Sequence, residues 1–329
     1  MSGSDADQTM RAIVIEGGKG PAEALQVAEV PRPVPADGQI LIKVAAAGLN
    51  RGDVIQRLGF YPSPPGAPQT MGLEVSGLVV HGAGRWKVGD RVCALLGGGG
   101  YAEYVAVDAR HALPVPADMD LVEAASLPET ILTVFANVFE SGALQPGQTL
   151  MLHGATSGIG VTAIQMCKVY GAKVIATARG ADKAAEAHRL GAEVVVDATT
   201  QDFVAVAREH GGCDVILDMV GGDYFPRNIE ALKPLGRLVY IAAQAGTEVT
   251  LNIGKMMQKR ITITGSTLRP RAADEKARLI DEAERRFWPA VESGALRPPV
   301  DRVFPLDQAA QAHLHLEANT HVGKVLLKM

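Results

Sequence analysis

Leu150-Met151-Leu152-His153-Gly154-Ala155-Thr156-Ser157-Gly158-Ile159-Gly160 carries a short apolar run into a glycine-rich turn and leaves it on a helical pattern. Glycine lets the backbone turn tightly and lets a pyrophosphate approach amide groups. The helix start presents free N–H groups and the positive end of its dipole to phosphate. The next apolar run, Lys173-Val174-Ile175-Ala176-Thr177-Ala178, ends at Arg179. An acidic residue there would hold an adenosine 2′-hydroxyl; Arg offers planar, bidentate donors to a 2′-phosphate. Together these residues point to NADP(H), and so to redox chemistry. The turn departs from the Gly-x-Gly-x-x-Gly spacing, reading Gly154-x-x-Ser157-x-x-Gly160 with Gly158 inside. Ser157 still fits a close turn and can donate to phosphate. Taken alone, the turn also fits an ordinary strand-to-helix connection, and Arg179 a solvated surface cation.

A second group of polar residues lies near the N-terminus. Asn50 and Asp53 are spaced to share one turn, where both types serve as helix caps; the Asn50 amide can also donate to and accept from a ligand. Tyr61 can pack its ring on the following Pro-rich loop, or offer its phenol to a carbonyl that is accepting hydride. His153, within an apolar strand, reads as a buried, hydrogen-bonded histidine. Cys167 reads as core. Leu268-Arg269-Pro270-Arg271 fits either the lining of a substrate site or a pair of solvated cations.

The elements that must position these residues fall into three stretches. Residues 10–127 read as β-rich, with apolar runs at 40–44, 78–80 and 102–107 broken by Gly and Pro turns. Pro62, Pro64, Pro65, Gly66 and Pro68 mark an exposed loop, and Gly97 to Gly100 a flexible segment that fits either a permissive turn or a place beside the active site. Residues 128–266 alternate strand and helix, which predicts a parallel sheet with right-handed crossovers. Expected strands cover 149–153, 173–177, 194–196, 215–218, 236–242 and 261–264; expected helices cover 160–170, 182–190, 202–209 and 224–232. In such sheets ligands bind beyond the carboxyl ends of the strands, where the glycine turn lies. Residues 267–329 hold helical patterns at 274–287 and 306–317 and a final apolar strand at 322–327. A lone strand cannot form a core, so it is expected to rejoin the first stretch. The fold class is therefore α/β, with a dinucleotide domain inserted into a β-rich domain.

The chain has 329 residues and a net charge of −4. Its length favours two domains, and the weak acidic balance offers no basic field for nucleic acid or an anionic membrane. Cys93, Cys167 and Cys213 are too scattered for a local metal cluster, and fit a reduced, cytoplasmic setting. Residues 1–9 are polar and acidic, unlike a signal peptide, and read as a flexible tail. No uninterrupted apolar run is long enough to span a bilayer.

Several ordered motifs carry a resemblance covering nearly the whole chain. Asn50-Arg51-Gly52-Asp53-Val54-Ile55-Gln56-Arg57 with Tyr61, Gly72-Leu73-Glu74-Val75-Ser76-Gly77, Lys87-Val88-Gly89-Asp90-Arg91-Val92, the glycine turn and Asn319-Thr320-His321-Val322-Gly323-Lys324-Val325-Leu326-Leu327 are similar to the zinc-independent quinone oxidoreductase branch of the medium-chain dehydrogenase/reductases. Leu95-Leu96-Gly97-Gly98-Gly99 and Leu127-Pro128-Glu129 resemble its p53-inducible quinone oxidoreductase type. The resemblance implies a Rossmann-like cofactor domain inserted into a GroES-like catalytic domain, with the active site in the cleft between them. It implies NADPH-dependent reduction of a quinone or other electrophilic carbonyl, and a homo-oligomer, a dimer, pairing along the sheet edge near 261–264. It places Asn50, Asp53 and Tyr61 at the catalytic site. Thr133, Gly154, Ala155, Thr156, Ser157, Gly158, Ile159, Gly160, Arg179 and Lys183 would bind the cofactor. Thr133 and Lys183 also fit a satisfied helix hydroxyl and an exposed cation. Some relatives carry a Tyr where Ala198 stands, which leaves Arg179 a larger share of any NADP preference. Zinc-containing relatives place His where Leu73 stands and Cys where Asn50 stands, and neither replacement suits zinc; no metal is expected. Asn50-x-x-Asp53 with Tyr61 also resembles enoyl-thioester reductases, so reduction of an activated alkene is the nearest alternative. A cofactor-binding regulatory or structural protein is another.

Overall fold

The computed structural model describes residues 8–329. It divides into one unit of Met1–Glu129, Arg269–Glu284 and Pro299–Met329, and a second of Thr130–Leu268 and Arg285–Pro298. The stretch expected to belong whole to the β-rich domain from 267 onward is thus shared, with 285–298 in the second unit. Of the tail expected over 1–9, residues 1–7 lie outside the described residues, and Thr9 opens the strand Thr9–Ile15.

The first unit is organised by the strand Gln39–Gly48, which pairs antiparallel with Glu74–His81, Tyr104–Asp108 and Lys324–Lys328. Ile40, Ile42 and Val44 alternate onto one face, as a period of two dictates, and enter a buried cluster with Val75, Val79, Val92 and Tyr101. Val325 and Leu327 join the same cluster. The C-terminal strand therefore finds its core in the N-terminal sheet, as a lone strand must.

The Gly97 to Gly100 run corrects its expected flexibility. Gly98, Gly99 and Gly100 are buried, and the N–H groups of Gly99, Gly100 and Tyr101 donate to the carbonyls of Thr70, Gly72 and Met71. Gly72 has φ +100°, and a Cβ there would lie 2.6 Å from the Tyr101 nitrogen. Glycine here permits close approach of two backbones rather than mobility. The proline loop is as exposed as expected at Pro62, Pro65 and Pro68.

The second unit holds a six-stranded parallel sheet in the order Val194–Asp197, Lys173–Ala178, Thr149–His153, Cys213–Asp218, Leu232–Tyr240, Thr262–Gly265. In chain order this is 3-2-1-4-5-6, the doubly wound arrangement whose ligand crevice opens where the order reverses, between strands 1 and 4. The four expected helices appear as Gly158–Tyr170, Ala181–Arg189, Phe203–Glu209 and Tyr224–Ala231. The expected 236–242 strand starts earlier, at Leu232, and Leu235 within it has φ +65°.

Three other elements were not legible as drawn. The helix expected over 274–287 runs from Ala273 to Glu292, through Pro289. The segment expected as a helix over 306–317 begins as a 3₁₀ turn, Leu306–Gln308, before Ala309–Glu317. Leu121–Ser141, helical in several pieces, is long and apolar enough on average to cross a membrane, although Glu123 and Glu129 interrupt it, so it is not the uninterrupted apolar run whose absence was expected; 78% of its most apolar window is buried within the protein. That burial is what a core helix shows.

Candidate active and cofactor sites

In the second unit the glycine turn follows strand Thr149–His153, one of the two that flank the switch point. Gly154 has φ +80°, and a Cβ there would meet the Met219 sulfur at 3.0 Å. A Cβ on Gly160 would sit 2.3 Å from the Gly154 carbonyl oxygen, so only glycine lets the helix start so close to the strand end. Ser157 caps the helix Gly158–Tyr170, its hydroxyl accepting from the Gly160 N–H at 3.0 Å and donating to the Gly154 carbonyl at 2.8 Å. The caps hold the first turn with its N–H groups directed at the crevice. Gly154, Ser157, Gly158 and Ile159 are half-buried, whereas Ala155, Thr156 and Gly160 are buried; Ala155 can offer a ligand backbone only.

Arg179 is exposed just past the carboxyl end of Lys173–Ala178, the strand paired with Thr149–His153. The turn and Arg179 are thus brought to one end of one sheet. Lys183 is half-buried in the first turn of Ala181–Arg189, and Thr133 is buried on the helix Pro128–Val134.

His153 is a fully buried structural residue, as expected. Asn228 donates to Asp218 at 2.8 Å, so its carbonyl must accept from His153 Nε2–H, also at 2.8 Å. His153 Nδ1 then accepts the Thr177 hydroxyl at 3.0 Å. Asp218 accepts the N–H groups of Val220 and Gly221. Burial holds the imidazole below its usual range, hence neutral. This chain of hydrogen bonds ties together the carboxyl ends of three strands around the crevice.

In the first unit Asn50 precedes the helix Arg51–Arg57. Asp53 accepts the Asn50 backbone N–H at 2.8 Å, one half of a capping box, and the Gly72 N–H at 3.2 Å. It is fully buried, and burial pushes its carboxyl up to about 6, opposed by the Asn50 N–H and by Lys324. A carboxyl so enclosed cannot meet a substrate, so the expected catalytic placement of Asp53 gives way to one that holds the loop of Asn50. Its far side meets Tyr101, which faces His313, which in turn faces Arg57. Arg57 closes the chain with a bidentate pair to Glu317, both bonds 3.0 Å.

The Asn50 carboxamide does not cap the helix. Its Nδ2 donates to Glu74 at 2.9 Å and its Oδ1 accepts from Lys324 at 2.8 Å. Lys324 also donates to Glu74 at 2.6 Å and to the Leu49 carbonyl at 2.8 Å. Glu74 is fully buried and Lys324 only 2% exposed. Gly48 makes the room: a Cβ there would lie 2.2 Å from the Glu74 carboxylate.

Tyr61 is half-buried, and its ring lies 3.4 Å from where a Cβ on Gly52 would stand, with Leu73 at 3.1 Å from the same point. Asn50, Tyr61 and Leu73 therefore gather round the first turn of one helix. Burial pushes the Tyr61 phenol up to about 12, the Glu129 charge adding and Arg269 opposing. Arg269 is buried, not a solvated cation. It donates to the carbonyls of Gly97 and Tyr61 and to the Ser63 hydroxyl at 2.8–3.0 Å, with its guanidinium 5.1 Å from the Tyr61 ring centroid. Glu74 and Lys324 are polar residues around this site that sequence reasoning did not assign. The signal was present: a charge inside an apolar strand, as at Glu74 and Lys324, needs a partner. Cys93, Cys167 and Cys213 are buried and unpaired, and among the described residues no three His, Cys, Asp or Glu side chains converge on one point.

A doubly wound sheet with a glycine turn at its switch point defines a dinucleotide-binding protein. Residues 158–285 match the zinc-binding dehydrogenase family, and residues 36–117 match the alcohol dehydrogenase GroES-like domain. The chain is 29% identical to the synaptic vesicle membrane protein VAT-1 homolog of Danio rerio, over 97% of this chain and 70% of that one. Among solved structures it resembles an NAD-dependent alcohol dehydrogenase at 32% identity and TM-score 0.85, covering 97% of this chain and 100% of that one. It also resembles Escherichia coli quinone oxidoreductase complexed with NADPH, at 27% identity and TM-score 0.84 over 98% of this chain and 99% of that one. The chain belongs to the medium-chain dehydrogenase/reductase superfamily of oxidoreductases, in its quinone oxidoreductase-like branch.

Proposed function

We propose that this protein is an NADPH-dependent quinone reductase that acts without a metal. The observation that carries the reading is the gathering of the Asn50 carboxamide, the Tyr61 phenol and the Leu73 side chain round one helix start. Two neutral hydrogen-bonding groups beside an apolar wall suit a flat, uncharged substrate that becomes an oxyanion on reduction. The cofactor would be held by the backbone of Gly154 to Gly160, with Arg179 and Lys183 toward the 2′-phosphate and Thr133 toward the nicotinamide; the tight turn at Gly154 and the close helix start at Gly160 fit a pyrophosphate. When bound, NADPH supplies the hydride.

The residues then have separable tasks. Asn50 Nδ2 carries a second hydrogen, used only loosely at 3.4 Å by the Gly48 carbonyl, that can donate to the substrate oxygen. Tyr61, with its phenol pushed up to about 12, stays protonated at neutral pH and donates a hydrogen bond. An acid that weak is poorly matched to proton transfer near neutrality. That favours a quinone, whose product oxyanion is already stabilised, over an activated alkene, whose carbon must be protonated. Asp53 and Arg269 hold the two loops that present these groups.

The test is NADPH oxidation with parallel panels of quinones and enones, for the wild type and an Asn50→Ala/Tyr61→Phe double variant. Quinone turnover should fall by at least about a hundredfold in the double variant, with NADPH affinity retained. Faster turnover of the enones, or turnover of neither panel despite NADPH binding, would replace the reading by the alkene reductase or by a cofactor-binding protein.

A further inference from the structure

The chemistry of Asn50 depends on which way its carboxamide points. The two ends of an amide differ only in being donor or acceptor, and a bare Asn can rotate between them. Here each end faces a charge. Oδ1 meets the Lys324 ammonium at 2.8 Å and Nδ2 meets the Glu74 carboxylate at 2.9 Å. A flipped amide would set its hydrogens against the ammonium and its oxygen against the carboxylate, losing two charge-assisted bonds at once.

The two charges are themselves fixed. Lys324 Nζ spends its three hydrogens on the Leu49 carbonyl, Asn50 Oδ1 and Glu74 Oε1. Glu74 Oε1 accepts from Lys324 and Asn50, and Oε2 accepts the Glu129 N–H at 2.8 Å. Both side chains are essentially out of solvent. A fully satisfied buried pair is seldom the most stable filling of its space, and a neutral pair of similar size often serves stability as well. Orientation is what the charged pair adds at this position.

We propose that Lys324, together with Glu74, is a positioning residue that locks the Asn50 carboxamide in one of its two flip states, with Nδ2 held as the donor available to substrate oxygen. The role of that donor rests on the quinone-reductase reading; the lock does not. The return of the last strand to the N-terminal sheet is what makes the contact, since Lys324 opens Lys324–Lys328 and reaches Asn50 across 274 positions of sequence.

Hydrogen exchange at the Asn50 side-chain amide tests the lock without turnover. The resonances are identified in a ¹H–¹⁵N spectrum by their loss in Asn50→Ala. Exchange should be slow in the wild type and at least about tenfold faster in Lys324→Met/Glu74→Gln, a neutral pair that leaves no orphaned charge. Should that variant not fold, Lys324→Gln replaces it, with acceleration of at least about threefold expected. Unchanged exchange in the folded variant overturns the proposal. A kinetic cycle supplies the functional arm: Asn50→Ala should cost about tenfold in quinone kcat in the wild type but less than about twofold in Lys324→Met/Glu74→Gln. Equal losses in both backgrounds would overturn the link to catalysis. Absence of quinone turnover in the wild type would sink the function reading while the exchange comparison still decides the lock.

Discussion

Arg179 stands exposed beyond the end of its strand, which is paired with the strand that leads into the glycine turn. If it binds a 2′-phosphate, it makes charge-assisted, bidentate bonds that NADH cannot receive. Arg179→Ala should therefore weaken NADPH by about 10- to 100-fold and NADH by less than about twofold; equal losses in fluorescence titration would remove the role. Asp53 gives a prediction of a different kind. Its carboxyl rises from 3.8 to about 6 on folding, so the native state binds more protons in that interval. Its contribution is complete below pH 3.8 and is lost as the pH rises through about 6. Between about pH 4.5 and about pH 7.5 the wild type should lose roughly 2 kcal/mol more stability in urea unfolding than Asp53→Asn. Parallel losses in the two proteins would show that the carboxyl is not so enclosed. Asn50 and Asp53 could be read from sequence as a cap pair. That Asp53 takes the backbone side of the pair while Asn50 turns away to Lys324 could not, because Lys324 lies far along the chain.

Loops carry the residues of the first unit's site, and one buried cation joins two of them. Arg269 donates to Gly97 on one loop and to Tyr61 and Ser63 on the other. Its planar fork suits three acceptors at fixed angles, which a lysine cannot match. Arg269→Ala should cost about 3 kcal/mol, since it strands two carbonyls that the protein had enclosed. Limited proteolysis should then cut within residues 58–68 faster than in the wild type; an unchanged rate would mean that the prolines stiffen the loop unaided. Glycine supplies the other half of this packing. The Gly97 to Gly100 run is identical in sequence to a permissive linker, and only the backbone of Met71 and Gly72 lying against it reveals a close-packed segment. Strands and helices of the second unit were readable because each repeats an apolar period over several residues. The early start of Leu232–Tyr240 was not, since Lys233, Pro234 and the left-handed Leu235 mimic a turn.

At the scale of the whole molecule, the six-stranded parallel sheet ends in two edge strands, Val194–Asp197 and Thr262–Gly265, and the second is the edge that the resemblance singles out. An unpaired edge invites a second copy, and we propose that two chains pair there. Ser266 N–H bonds the Tyr240 carbonyl, so alternation along the strand turns the Ile263 N–H outward. Ile263→Pro should shift sedimentation toward a single 34.6 kDa chain while leaving the fold intact; an unchanged oligomer would exclude the edge. The sequence alone determined the division into β-rich and alternating parts, the glycine turn with Arg179 after the neighbouring strand, and the return of the last strand. These depend on local period, turn chemistry and the need of a strand for a partner, all properties of short segments. Only the tertiary structure decided that Asp53 is buried, that Arg269 is a staple and that Asn50 points one way. Each of those depends on which distant charge or backbone comes within about 3 Å, and contact at that range between residues hundreds of positions apart is written in no local pattern.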